Sequence, residues 1–154
     1  MRWIALPLAI GLVTVACGPS AEETALAEAA AAAAEADSLM AAAEAGYDPS
    51  VFDTLTWVSP ERRAEYGPTV YISSCARCHG AQGLGDSEFI MKGDTLRPPS
   101  FREPTWRMAG DIDAIRRAIF VGTLEGMPHW GLEGLSAGAV DAVSAYIVDR
   151  LGRN

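Results

Sequence analysis

Residues 75–79 read Cys75-Ala76-Arg77-Cys78-His79, two cysteines two residues apart with a histidine directly after the second. This is the Cys-x-x-Cys-His pattern by which a chain attaches a c-type haem. Two thiols must reach the two vinyl groups on one edge of the macrocycle, and two intervening residues set that span. The adjacent histidine is carried beneath the iron as its proximal ligand. Both thioethers are covalent, so Cys75 and Cys78 are consumed. Two other uses of the spacing fail on the rest of the chain. Structural zinc wants four ligands, and the other cysteine and histidine are Cys17 and His129, both far off in sequence. A thioredoxin-like dithiol sits in a βαβ setting, which the sequence lacks.

Four further stretches fall into place around this pentapeptide. They are Gly67 with Tyr71, Arg97-Pro98-Pro99-Ser100-Phe101, Gly126-Met127-Pro128 with Trp130, and Ala145-Tyr146-Ile147 near the C-terminus. With these stretches in this order, residues 67–151 resemble a mono-haem class I cytochrome c, of the small bacterial kind that serves as an electron-transfer module in respiratory complexes. The resemblance implies an all-α fold, with several short helices around one covalently bound haem c. It implies His79 and Met127 as the axial iron ligands. It implies that a proline carbonyl, Pro99 or else Pro98, accepts the Nδ1 proton of His79, which would fix the tautomer and ring orientation. It also implies that Gly67 and Tyr71 pack against the C-terminal helix.

The residues themselves support a ligand at Met127. A thioether is a soft, neutral ligand that favours ferrous iron and raises the potential. Proline stiffens the loop and Gly126 lets it close. Met108 is the runner-up, His129 lies near enough for two-histidine ligation, and Met91 comes too soon after the motif to be preferred. Arg97, Arg102, Trp106 and Arg107 are candidates for the haem propionates. Gly80, Gly83 and Gly85 suggest close backbone approach to a ring system. The haem edge near Cys75 and Cys78, bordered by Gly80, Gln82, Met127 and His129, is the expected place of electron exchange.

Net charge is −8 over 154 residues, and it is unevenly placed. Residues 18–59 carry 8 acidic and no basic side chains, whereas residues 60–154 carry 12 acidic and 11 basic. The acidity therefore belongs to the leading segment. A nucleic-acid binder would want a basic face, and none is present.

Ahead of the haem region the chain divides into three parts. Residues 1–16 read as a secretory signal, with Arg2 followed by an uncharged run of 14 residues. That run is short for a membrane span, which needs about 20. It ends Thr14-Val15-Ala16-Cys17, which resembles a bacterial lipobox, with Thr14 in place of the commoner leucine. Cys17 is then the lipidated first residue of the mature protein. The alternative is ordinary cleavage nearby, with Cys17 removed or left free. Residues 17–46 form an alanine-rich acidic spacer, and alanine is the best helix former. Leu26, Leu39 and Met40 are too sparse to make a core-facing stripe. The spacer is either a semi-rigid helix or a frayed tether. Residues 47–59 hold Tyr47, Phe52 and Trp57, too aromatic for a plain linker, and are expected to cover the core. Residues 60–154 are the haem domain.

Within that domain Ser59 and Pro60 start a helix, and Gly67-Pro68 should interrupt it. Asp111 caps a helix to Val121 with Ile112, Ile115 and Ile119 inward, and Ser136 caps the last helix, with Val140, Val143, Ile147 and Leu151 inward. With both axial positions filled, the chain is expected to be an electron carrier or electron-transfer subunit, not an enzyme. It would be exported and lipid-anchored at the outer face of the cell membrane, with redox proteins or membrane-complex subunits as partners. No nucleic acid or small-molecule substrate is expected. The alternatives are a haem enzyme or gas or redox sensor with a displaceable methionine, and an assembly subunit of a larger redox complex.

Overall fold

A computed structural model describes residues 18–91 and 94–153. The signal segment 1–16 and the lipidation candidate Cys17 lie outside the described residues. The chain divides between Ala34 and Glu35 into two compact units. In the first, helix α1 (Ala21–Gly46) begins. Its start is a capping box: the Ser20 Oγ accepts from the Glu23 N–H at 3.2 Å, and Glu23 Oε2 accepts from the Ser20 N–H at 2.7 Å. The alanine-rich segment is thus helical over Ala21–Gly46, as its composition favours. No described helix is long and apolar enough to cross a membrane.

The second unit opens with the end of α1, where Ala43 is fully buried and Glu44 pairs with Arg117. Next come a short α2 (Ser50–Thr54), α3 (Pro60–Val70), α4 (Ala76–His79), α5 (Ile112–Val121) and α6 (Ala137–Tyr146). The expected N-caps are all made: Ser59 accepts from the Arg62 N–H, Asp111 from those of Asp113 and Ala114, and Ser136 from that of Ala139. A small antiparallel hairpin, β1 (Phe89–Met91) and β2 (Asp94–Leu96), pairs Phe89 with Leu96 and is the only departure from an all-helical fold among the described residues.

Three expectations change. Pro68 does not break α3, which runs through it and then through a π-helical turn, Tyr71–Cys75, into α4. Proline removes one backbone donor and crowds the preceding turn, but tertiary packing at Gly67 holds the helix in line. A Cβ at Gly67 would stand 2.5 Å from the Ala142 carbonyl oxygen and 2.8 Å from Tyr146 Cβ, so α3 and α6 cross backbone to backbone there. Tyr71 is fully buried 5.6 Å from the Tyr146 ring, and its hydroxyl donates to the Gly80 carbonyl at 2.7 Å. The second change is in the glycine loop. A Cβ at Gly83 would stand 2.5 Å from the Phe101 ring, and one at Gly85 2.0 Å from the Pro98 carbonyl oxygen. These glycines admit neighbouring protein segments.

The third change is in α6, which is buried on all sides from Ala139 to Ala145, Asp141 and Ser144 included. Ser144 returns its hydroxyl to the Val140 carbonyl. Asp141 is the junction of four elements. It accepts from Arg63 of α3 through two bonds of 2.7 Å, from Trp57 Nε1 at 2.8 Å, and from Arg116 of α5. The aromatic segment 47–59 therefore packs on the same unit. Tyr47 lies 5.4 Å from the Phe120 ring, and Arg116 sits 4.7 Å over Phe52.

Candidate functional site: a cavity at the Cys-x-x-Cys-His turn

The π-helical turn Tyr71–Cys75 inserts one extra residue as the helix enters the motif, ending at its first cysteine. One extra residue rotates the downstream side chains by about 100° around the helix axis, and such turns recur at functional sites. Cys75, Cys78 and His79 all border one cavity of about 650 Å³. The loop after β2 adds Pro98, Pro99, Phe101, Trp106 and Met108. Helix α5 adds Ile115, Ala118 and Ile119, the loop beyond it adds Thr123, Met127, Pro128 and Trp130, and Ile147 comes in from the end of α6. Residues distant in sequence thus meet at one mostly apolar space.

The His79 ring stacks on Phe101 at 4.9 Å and 23°, and Phe101 in turn lies 4.9 Å from Trp106. Burial disfavours the charged imidazolium and holds the His79 pKa down at about 4. The ring is therefore neutral near pH 7, as a metal ligand must be. Its Nδ1 is buried without a hydrogen-bond partner. The bond from His79 to Pro99 or Pro98 expected from the resemblance is thus not made, although both prolines line the cavity. The Pro98 carbonyl is turned toward the Gly85 backbone instead.

Cys75 and Cys78 are not joined in a disulfide. Burial, with a smaller push from Cys78, raises the Cys75 pKa to about 12, and burial also raises that of Cys78 against the pull of Arg77.

The structure sorts the remaining candidates. Met108 and Met127 both reach the cavity, whereas His129 does not: its Nδ1 is bonded to the Val121 carbonyl. The Met91 side chain lies outside the described residues. Arg97, Trp106 and Arg107 line the cavity, but Arg102 donates to the Leu151 carbonyl at 3.1 Å and does not. Gly80 and Gln82, expected at the border, are absent from the lining. Two contributors had no signal strong enough to find them: Phe101 as the stacking partner of His79, and the π-helical turn, which conventional helix periodicity does not announce.

Tested against a haem, the cavity fits. Its volume falls in the range of about 300–1,000 Å³ usual for cofactor sites. It offers a neutral imidazole, two thioethers and two thiols. Trp106 Nε1 is buried without an acceptor, and Arg97 and Arg107 supply positive charge for an anionic group.

Comparison with known proteins points the same way. Residues 62–147, more than half of the chain, match the family described as cytochrome C oxidase, cbb3-type, subunit III. A relative, the Cbb3-type cytochrome c oxidase subunit FixP of Azorhizobium caulinodans, is 31% identical over 84 residues. That match covers 54% of this chain and 26% of the relative, so the chain spans about a quarter of that protein's length. No solved structure matches the chain.

Proposed function

This chain belongs to the cbb3-type cytochrome c oxidase subunit III family, and from that membership we propose that it carries one covalent haem c and passes single electrons within or beside a respiratory-type membrane complex. The observation that carries the reading is the meeting of Cys75, Cys78, His79 and Met127 at one cavity. Cys75 and Cys78 would attach the haem covalently, and His79 and Met127 would hold its iron. Pro99 braces the loop beside His79. When bound, the haem supplies a one-electron iron couple. The chain's own residues keep the site apolar through Ile115, Ile119 and Ile147. The chain acts as an electron-transfer subunit, and any oxidase chemistry belongs to a partner. Trp106, Arg97 and Arg107, which line the cavity, would serve the haem propionates.

The same proposal places the protein at the outer face of the membrane, exported and held by acyl chains on Cys17. Several chains anchor far better than one. The test is a haem stain of the denatured protein with a visible spectrum of the native one. A haem band of full intensity from a Cys75→Ser/Cys78→Ser variant would sink covalent attachment. Loss of the band, with a low-spin spectrum in the parent, supports it.

A further inference from the structure

We infer that His129 is a positioning residue for Met127, a role that rests on the ligation proposed above. Helix α5 ends at Val121, and the last carbonyls of a helix have no partner within it. The next loop returns to meet two of them. The Gly131 N–H donates to the Phe120 carbonyl at 3.0 Å, and His129 Nδ1 bonds the Val121 carbonyl. A carbonyl only accepts, so the His129 proton sits on Nδ1. Nearer its tip the loop is closed by the Thr123 N–H, which donates to the Met127 carbonyl at 3.1 Å.

Gly122, at φ +79°, lies under this closure. A Cβ there would stand 2.7 Å from the Met127 carbonyl oxygen, 2.8 Å from that of Pro128 and 2.9 Å from His129 Nδ1. The helix end, the Met127 backbone and the His129 ring therefore occupy one tight junction. Met127, Pro128 and Trp130 line the cavity, while the histidine between them is turned to the helix. His129 is a second side-chain anchor, beside the Thr123 hydroxyl that accepts from the Met127 N–H at 3.4 Å, and it is the one that ties the loop to the end of α5 and sets how far the thioether enters.

The test uses the purified haem-loaded protein, with carbon monoxide as the probe of the reduced form. The far-red sulfur-to-iron charge-transfer band serves as the probe of the oxidised form. His129→Leu removes the donor and should speed carbon monoxide binding roughly fivefold, the effect of one lost hydrogen bond on a loop equilibrium, and weaken the band. His129→Asn, whose amide N–H stands close to the Nδ1 position, should restore both. If His129→Leu does not load haem, His129→Gln takes its place, with rates expected in the order wild type, Asn, Gln. A wild-type rate and band in the Leu variant, even with lowered thermal stability, overturns the role. So does an Asn variant no better than Leu. Met127→Ala is the control: if it leaves both readouts unchanged, the ligation reading itself has failed. If it moves them and His129→Leu does not, only the role of His129 is lost.

Discussion

Met108 and Met127 both line the cavity, and either thioether is chemically able to hold iron. The proposed ligand is Met127, because Pro128 stands next to it and its carbonyl is tied to Thr123. Met127→Ala should keep covalent haem but lower the reduction potential and open the reduced form to carbon monoxide, as loss of a soft neutral ligand requires. Met108→Ala should leave the potential and the ligand band in place and cost about 2–5 kcal/mol at most, as a packing truncation. A potentiometric titration of both variants separates them, and reversal of the two results would move the ligand to Met108.

At the scale of the element, α3, α5 and the segment around Trp57 are tied through one buried carboxylate on α6. Burial alone would raise the pKa of Asp141, but hydrogen bonds from Arg63, Arg116 and Trp57 outweigh it and hold the carboxyl below the usual range. The folded value is below the unfolded one, so folding is favoured where the group is ionised. That stability is fully present above about pH 4, the ordinary carboxylate value, and is lost as pH falls through the folded pKa. Denaturant midpoints measured from pH 7 to pH 3 should drop more steeply in the wild type than in Asp141→Asn. At pH 7 that variant should be destabilised by about 1.5–3 kcal/mol, the range for hydrogen bonds to a charged group, since Arg63 loses its carboxylate while Arg116 keeps Asp113. Equal acid slopes in the two proteins would show that Asp141 is not the titrating group. The helix crossing makes a second demand. Gly67→Ala places a methyl 2.5 Å from the Ala142 carbonyl, and should cost about 1–3 kcal/mol by overpacking, read as a shifted urea midpoint without a changed slope.

Across the whole molecule, the haem-bearing unit begins before the Cys-x-x-Cys-His region does. Its boundary falls at Glu35, and Ala43, Tyr47 and Trp57 all pack within it. Replacing residues 1–34 with a cleavable secretory signal should therefore yield soluble cytochrome with an unchanged visible spectrum and thermal midpoint. Starting the mature chain at Ser59 should keep the spectrum but lower the midpoint by several degrees, because the Trp57 bond and the Tyr47–Phe120 packing are gone. Equal midpoints would mean that the segment contributes nothing to stability. The anchor is tested separately by mass spectrometry of the mature N-terminus. An unmodified start beyond Cys17 would leave an exported, unanchored carrier.

Local chemistry was legible in the sequence. The Cys-x-x-Cys-His turn, the capping residues Ser59, Asp111 and Ser136, the inward face of α5 and the helical bias of the alanine run all depend on neighbours a few residues apart. Spacing and side-chain type therefore specify them. Gly67 against α6 was legible only through the resemblance. Other features were settled by packing, because their partners lie far apart in the chain. Pro68 stays helical because α6 presses on Gly67, Asp141 is buried because two arginines and a tryptophan converge on it, and Arg102 leaves the cavity for the Leu151 carbonyl. His129 turns from the cavity because the end of α5 offers an unpaired carbonyl. Hydrophobic periodicity records which face is inward, but an unmet hydrogen-bonding group is visible only once the elements are packed and water is excluded between them.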